Sequence, residues 1–598
     1  MATTTSKKVL GGGEFLLEQI GYENIFTKEE RTEEQNMVLN MLQDFIDKEV
    51  APNTAKIEKL DIELTKELLK KAGDLGLLGT SFPEEYGGFM QDFSTNMTIT
   101  EYLAHTRSFS LSVGAHTGIG MLPILYFGNE EQKSKYLPSL VAGDKFAAYC
   151  LTEPDSGSDA LAAKTKAVLN EAGTHYILNG QKMWITNAGF ADVFVVFAKI
   201  DGEKFTGFIV EKAWEGVSLG AEEMKLGIKG SSTRQVFFEN VEVPVENVLG
   251  QIGKGHKIAF NILNIGRIKL AAGVLGASKS VVKHAVGYAN ERKQFGQSIG
   301  NFGAIKHKLG EQATRIWVTE AAVHRASKAI DHVEHQLQAE GKTLGESLLG
   351  AAEEYAIECA ILKVRGSECL DYVVDEGLQI YGGMGYSEEA PMASAYRDSR
   401  INRIFEGTNE INRMLSVDML LKKAMKGELD MMTPAMAIQK ELMSFSLQKA
   451  APEGLLEAEL LQVQNLKKCF LAVSGMTAQE LMMGLKDEQE ILMNMADVMA
   501  EIYLAESAIL RAQKLASIRG EAAVADQIAM SRIYLNDATE RIAFSARQAV
   551  ASWADGDKKK TLMLAIKRYC KQEFINTKAL RRQIADSLLA ANDYCYQD

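Results

Sequence analysis

The chain is poor in proline, with nine in 598 residues. Proline removes a backbone donor and clashes with the preceding turn, so its scarcity suits a largely helical protein. The six cysteines, Cys150, Cys359, Cys369, Cys469, Cys570 and Cys595, are scattered and form no CxxC pair. That spacing fits neither a zinc site nor a disulfide framework and points to reduced thiols; no metal centre is expected. There is no basic block, and the net charge is −13. Nucleic-acid binding is dominated by clustered Lys and Arg, so no nucleic-acid partner is expected. No uninterrupted apolar run reaches the length of a membrane span, so none is expected. Residues 1–34 lack an apolar signal core, and their acidic residues argue against a mitochondrial transit peptide. The expected location is cytoplasmic, with peripheral membrane attachment left open. P-loop, HExxH and GxSxG motifs are absent.

What is present has the composition of a globular protein: 46% apolar and 24% charged residues. The length suggests about three or four domains. After an irregular lead to about residue 26, Thr27 to Glu30 has capping-box spacing, with helical periodicity following through Val38, Leu42, Phe45 and Val50. Pro52 is expected to end that helix, and Leu64, Leu68 and Ala72 mark the next. From Phe146 the pattern changes. His175–Leu178, Met183–Thr186, Val193–Lys199, Thr206–Glu211 and Arg234–Val243 read as strands, with Asn179-Gly180 as a two-residue hairpin turn. Beyond Lys254 four long amphipathic segments, at about 257–291, 303–338, 344–376 and 391–422, suggest a bundle. A second helical block runs to the end. Its Met-rich stretch Met431 to Leu447 reads either as an amphipathic surface helix that meets lipid or as core packing with Met as gap filler. The expected architecture is α+β: an N-terminal helical domain at 27–146, a small β-barrel or sandwich at 147–248, a four-helix bundle at 249–425 and a further helical domain at 430–598.

Five stretches carry candidate chemistry. Tyr149 to Asp159 mixes backbone amides, small hydroxyls and a glycine, and can bond the edge of a heterocycle as readily as form a plain turn. Lys182 to Asn187 puts Trp184 and Thr186 on one strand face, suited to a planar ring or to an ordinary core. Glu291 to Gly296 places basic side chains at a helix end, where they meet phosphate or solvent. Gln379 to Gly385 is glycine-rich but is not GxGxxG and follows no strand, so a Rossmann site fails. In Arg403 to Glu410, Glu406 sits among apolar neighbours between two helices, with Pro391 opening the first and Thr408 able to cap the second. A carboxylate there loses hydration and suits general-base work on a weak C–H acid; a solvated Glu at a helix end is the plainer reading.

Taken together, Tyr149–Ser158, Trp184–Thr186, Arg292–Phe295, Gln379–Gly383 and Glu406-Gly407-Thr408, on an α–β–α layout, resemble the acyl-CoA dehydrogenase family over about residues 30–420. The block at 430–598 resembles the extension of its very-long-chain subfamily. The resemblance implies FAD as cofactor and an acyl-CoA as substrate, converted to trans-2-enoyl-CoA. Glu406 would remove the α-proton while the β-hydride passes to flavin N5. Tyr149, Leu151, Thr152, Gly157 and Ser158 would line the flavin, with Trp184 and Thr186 against its ring. Arg292, Gln294, Phe295, Gln379, Gly382 and Gly383 match residues that contact the flavin of the neighbouring subunit, so a homodimer is implied; Thr408 and Glu410 match flavin contacts too. Ser158, Asn264, Arg267, Phe405 and Gly407 would meet substrate, Arg267 through a polar group of CoA. Some relatives carry the base at the position of Gly266, which has no side chain, leaving Glu406 as the candidate. The missing bulk at Gly266 would admit a longer acyl chain. Electron-transfer flavoprotein is the implied electron acceptor. An acyl-CoA oxidase that reduces oxygen, and a non-catalytic scaffold paralogue, are the competing readings.

Overall fold

The computed structural model describes residues 8–443 and 452–597. The chain divides into two compact units: residues 31–277 with 330–353, and residues 1–30 with 278–329 and 354–598.

In the first unit, helices precede a sheet. The first long helix is Glu33–Phe45, capped by Thr32 with Gln35 in a reciprocal capping box. The box expected at Thr27, which belongs to the second unit, is only half made: Glu30 accepts from the Thr27 amide at 2.9 Å at a 3-10 turn over Lys28–Glu30. Pro52 does not end the helical path. The chain passes through a π-turn at Ile46–Val50, a 3-10 turn at Ala51–Asn53 and a short helix at Thr54–Ile57, because proline in a first turn costs no needed donor. Leu42, Phe45, Leu68, Leu69 and Phe109 form the core of these helices.

The sheet has eight strands: β1 Ala147–Cys150, β2 Lys166–Leu169, β3 His175–Thr186, β4 Val193–Ile200, β5 Lys204–Glu211, β6 Val217–Glu222, β7 Thr233–Pro244 and β8 Val248–Leu249. The order is β6-β7-β3-β2-β4-β5-β8, with β1 also paired to β4. β1 and β2 share one edge of β4, each running parallel to it. All of β4 but Lys199 is buried, as an apolar run covered on both faces must be.

The expected Asn179-Gly180 hairpin is not a turn. β3 runs through it unbroken, and its ladder with β7 shifts register between Leu178 and Gly180. Asn179 instead accepts from the Asn240 amide at 2.8 Å, so the pair marks an irregularity in the ladder.

The second unit is helical. It holds the C-terminal part of Gly255–Glu291, most of Gly303–Ala339, then Ala356–Tyr381, Pro391–Ser399 and Asn409–Met425. The expected fourth bundle helix is thus split at Glu406. The C-terminal block supplies Glu457–Leu481, Gln489–Arg519, Ala525–Trp553, Gly556–Tyr569 and Thr577–Ala591. Gln489–Arg519 is buried almost throughout, and its buried charges are paired. Glu506 meets Lys467 and Arg325, and Arg511 meets Glu29 and Glu320.

The N-terminal lead is irregular but anchored. The amides of Gly12 and Gly13 donate to Glu354 and Glu358 at 2.7 and 2.8 Å. Lys467 and Lys514 hold the carbonyls of Glu18 and Ile25. A Cβ at Gly12 would lie 1.8 Å from the Glu354 carbonyl oxygen, which is why glycine stands there.

The Met-rich stretch is a helix over Met432–Met443, with Met432 and Met436 exposed and Ile438 buried; residues 444–447 lie outside the described residues. Two helical stretches, Ser108–Phe127 and Gly255–Glu291, are long and apolar enough to cross a membrane by length and composition, although polar residues interrupt both. Most of each window is buried inside the protein.

Candidate active site

The candidate residues fall in both units, and each set is described where it lies.

In the first unit, the loop after β1 is fixed by a buried ion pair. Glu153 accepts from the Lys182 ammonium at 2.7 Å and from the amides of Lys164 and Thr165 at 2.5 and 3.1 Å. Burial alone would raise its carboxyl, but the Lys182 charge and these donors hold it below the usual range. Burial lowers the Lys182 amine. Lys182 also donates to the Leu151 carbonyl at 3.1 Å, and the Met183 amide to the Thr152 carbonyl at 2.9 Å. The loop carrying Leu151, Thr152, Gly157 and Ser158 is thereby held beside the strand carrying Trp184 and Thr186. Tyr149 is buried on β1, its ring edge-on to Phe197.

β3 then bulges. Lys182 faces Val236 and Ile185 faces Arg234, so two residues of β3 oppose one of β7. Trp184 takes φ 61° within the bulge. Up to Lys182 the even-numbered positions Tyr176, Leu178 and Lys182 are buried; after the bulge the odd-numbered Ile185 is. The side-chain alternation is inverted, and Trp184 is turned out to 53% exposure. It is not a core tryptophan. Among the described residues nothing hydrogen-bonds the hydroxyls of Thr152, Ser158 or Thr186.

On the helix Gly255–Glu291, Asn264 and Arg267 are both buried, and Arg267 Nη1 donates to Asn264 Oδ1 at 2.7 Å. Both residues were expected to meet substrate, Arg267 through a polar group of CoA; this bond ties the two together and uses one of the five guanidinium N–H donors.

In the second unit, Arg292 to Gly296 forms more than a helix end. Strand β9, Lys293–Gln294, pairs with β10, Gln297–Ser298. Phe295 and Gly296 between them have φ 52° and 82°, the left-handed pair of a tight hairpin turn. Phe295 is 93% exposed at its tip; Arg292 and Gln294 are exposed beside it. Gln379 lies in the last turn of the helix Ala356–Tyr381. Gly382 and Gly383 follow, exposed, with open space where a Cβ would project.

Glu406 is presented by a strained loop. Glu406 and Gly407 have φ 59° and 79°, a conformation that costs a non-glycine residue on the order of 1–2 kcal/mol. Thr408 caps the next helix by accepting from the Ile411 amide, with Glu410 exposed in the first turn. Asn412, fully buried, donates from Nδ2 to the carbonyls of Glu406, Gly407 and Thr408 at 3.2, 2.8 and 3.1 Å. Asn409 accepts from Lys363 at 2.7 Å and donates to Ser367 at 3.0 Å. Phe405, Glu406 and Gly407 are half-buried. Neither Asn412 nor the Glu153–Lys182 pair stood out in the sequence. Asn412 reads there as a polar helix residue, and only the run of carbonyls before it marks its role.

Successive parts of the chain match the family descriptions acyl-CoA dehydrogenase N-terminal domain at residues 32–144, middle domain at 148–241 and C-terminal domain at 253–421, with a further acyl-CoA dehydrogenase C-terminal domain at 465–568. A Bacillus subtilis (strain 168) protein named "Probable acyl-CoA dehydrogenase" is 48% identical over 583 residues, 98% of each chain. The human mitochondrial very long-chain specific acyl-CoA dehydrogenase is 40% identical over 64% of this chain and 57% of its own length. A crystal structure of acyl-CoA dehydrogenase complexed with FAD from Bacillus anthracis superposes with TM-score 0.96 at 45% identity, covering 98% of this chain and 100% of that one. The chain belongs to the acyl-CoA dehydrogenase family, and its fold carries that family's helical, β and helical domains with extra C-terminal helices.

Proposed function

We propose that this FAD-dependent oxidoreductase oxidises long or very long fatty acyl-CoA thioesters between the α- and β-carbons, with Glu406 as the base. The observation that carries the reading is the Glu406 loop. Two consecutive left-handed residues, a helix cap and the Asn412 amide fix the backbone that carries this carboxylate. Such anchoring suits a group that must approach a C–H bond within a few tenths of an ångström. The residues of the first unit fit FAD: an indole held outward by a bulge, beside hydroxyls with no partner among the described residues. FAD, when bound, supplies the two-electron acceptor. Glu406 takes the α-proton, and its backbone N–H would help polarise the thioester carbonyl, acidifying that C–H. Thr152, Ser158 and Thr186 offer hydrogen bonds to the cofactor, and Trp184 its aromatic face.

The chain acts as a homodimer, with the exposed Phe295 hairpin and Gln379–Gly383 reaching the cofactor of the second subunit. Residues 27–146, 147–248, 249–425 and 430–598 are its domains. Electron-transfer flavoprotein reoxidises the flavin, and the location is cytoplasmic, with peripheral membrane contact. The lack of a side chain at Gly266, beside Asn264, supports room for a long acyl chain.

Anaerobic titration of the flavin-loaded protein with saturated acyl-CoAs from butyryl to eicosanoyl tests the reading. Bleaching of the flavin band should be strongest from myristoyl upward, and Glu406→Gln should slow it at least about hundredfold, the scale of general-base catalysis. Bleaching by short chains alone would refute the chain-length assignment. Full activity in Glu406→Gln would refute the base. Oxygen uptake without another acceptor would make the protein an oxidase.

A further inference from the structure

The helix Asn409–Met425 begins three residues after Glu406, and its second turn is tied to the C-terminal block. Arg413 lies between two carboxylates. Its Nη2 donates to Glu368 at 2.6 Å and its Nε to Asp497 at 2.9 Å. Asp497 stands on the helix Gln489–Arg519, outside the region that matches the 253–421 domain. Its carboxylate also meets Arg365 at 3.2 Å. Arg365 reaches Glu501 at 3.0 Å, and Arg541 grips Glu501 through two bonds of 2.9 Å each. The cluster therefore holds three guanidinium groups and three carboxylates. Arg365 and Arg413 are mostly buried, and Glu501 is almost fully so. Burial would raise the Glu501 carboxyl, but Arg541 and Arg365 hold it at about 2, ionised at every working pH.

Exposed ion pairs contribute little to stability, and buried ones weigh their attraction against lost hydration. What forked guanidinium groups supply is geometry, since each fixes distance and plane together. Here that geometry runs along a short path. Glu368 also faces Asn409 at 3.5 Å, and Asn409 adjoins the Thr408 cap.

We propose that Asp497 and Glu501 are positioning residues. Through Arg413 and Arg365 they fix the opening turns of the Asn409 helix and so set the place of Glu406. The C-terminal block is thereby part of the catalytic apparatus without touching substrate. The catalytic consequence rests on Glu406 being the base; the structural one does not.

The test uses the full-length flavin-loaded protein with Asp497→Ala, Asp497→Glu and Arg413→Lys. Two quantities are read: amide hydrogen exchange of peptides covering residues 404–415 and 177–186, and kcat and KM for the best acyl-CoA. Asp497→Ala should speed exchange in 404–415 and leave 177–186 unchanged. It should lower kcat about tenfold or more with KM within about threefold. Asp497→Glu should recover most of that loss. If Asp497→Ala does not fold, Arg413→Lys, which keeps the charge and loses the fork, should give the same split more weakly. Unchanged exchange in 404–415, an unchanged kcat, or a kcat loss that follows a general rise in exchange would each overturn the proposal. Should Glu406→Gln prove active, the base assignment fails, and exchange in 404–415 alone decides whether Asp497 positions the loop.

Discussion

At the scale of single residues, the loop around Glu406 is held by one amide. Asn412 offers two side-chain N–H donors to the carbonyls of Glu406 and Gly407, and to that of Thr408, which also accepts from the Asn412 backbone amide at 3.0 Å. Removing it strands buried acceptors, each worth about 1–3 kcal/mol, next to a loop already strained. Asn412→Ala should therefore cut kcat at least about tenfold with only a modest fall in thermal midpoint. Asn412→Asp should do worse, since a carboxylate replaces the donors and repels the same carbonyls. Steady-state kinetics and a thermal melt on both variants check this. An Asn412→Ala enzyme with wild-type kcat would mean that the loop is held by other groups.

At the scale of elements, the periodic helices and the apolar strands were legible in the sequence because burial imposes a period on each. The octapeptide around Glu406 was legible as well, since Pro391 and Thr408 mark the helix start and cap on either side. What was not legible depends on partners distant in sequence. Asn179-Gly180 carries the local signal of a hairpin. The pairing with β7, through Asn240, turns it into a strand irregularity. The Trp184 bulge leaves no local trace, because it is defined by the register with Val236 and Arg234 across the ladder. The bond between Arg267 and Asn264, one turn away, likewise has no signal beyond helical spacing. Gly180 makes the point testable. A Cβ there would meet the Thr165 side chain at 2.5 to 2.7 Å. The positive φ of 155° already disfavours a side chain there, and this close approach adds a forced shift costing about 1–3 kcal/mol. Gly180→Ala should lower the thermal midpoint by several degrees; an unchanged melt would mean that Thr165 moves aside freely.

At the scale of the whole molecule, buried titratable groups in both units set how stability varies with pH. Glu334 is pushed up to about 8 by burial and by the nearby carboxylates of Asp331 and Asp92. Glu358, under the Gly13 amide, is pushed up to about 7, mainly by burial. For both, the folded state holds its proton more tightly than the unfolded chain, whose carboxyls titrate near 4.5. Their contribution is intact below that value and is lost as pH rises through 7 and 8. His116 works in the opposite sense. Its Nδ1 accepts from the Ala147 amide at 3.0 Å, which leaves Nε2–H to donate to the Leu140 carbonyl at 3.0 Å. The neutral ring is therefore the one that fits, and burial lowers it to about 4 from 6.5. Its contribution is present above 6.5 and is lost as pH falls toward 4. Glu29 and Glu501 add to the acid side. Their carboxyls are held at about 2 against the pull of burial, Glu29 by Arg511 and Glu501 by Arg541 and Arg365. Between 4.5 and 6.5 the two raised glutamates lose more than His116 gains, and below 4.5 only the acid-side groups change, so these groups together place the maximum near pH 4.5. Melts from pH 5 to 9 should fall on the alkaline side, and Glu334→Gln should flatten that arm while leaving the acid arm alone, because glutamine keeps the shape without a proton to lose. His116→Gln should leave the alkaline arm as it is, whatever its effect on the maximum. An alkaline arm that survives Glu334→Gln and Glu358→Gln together would show that it arises from other groups.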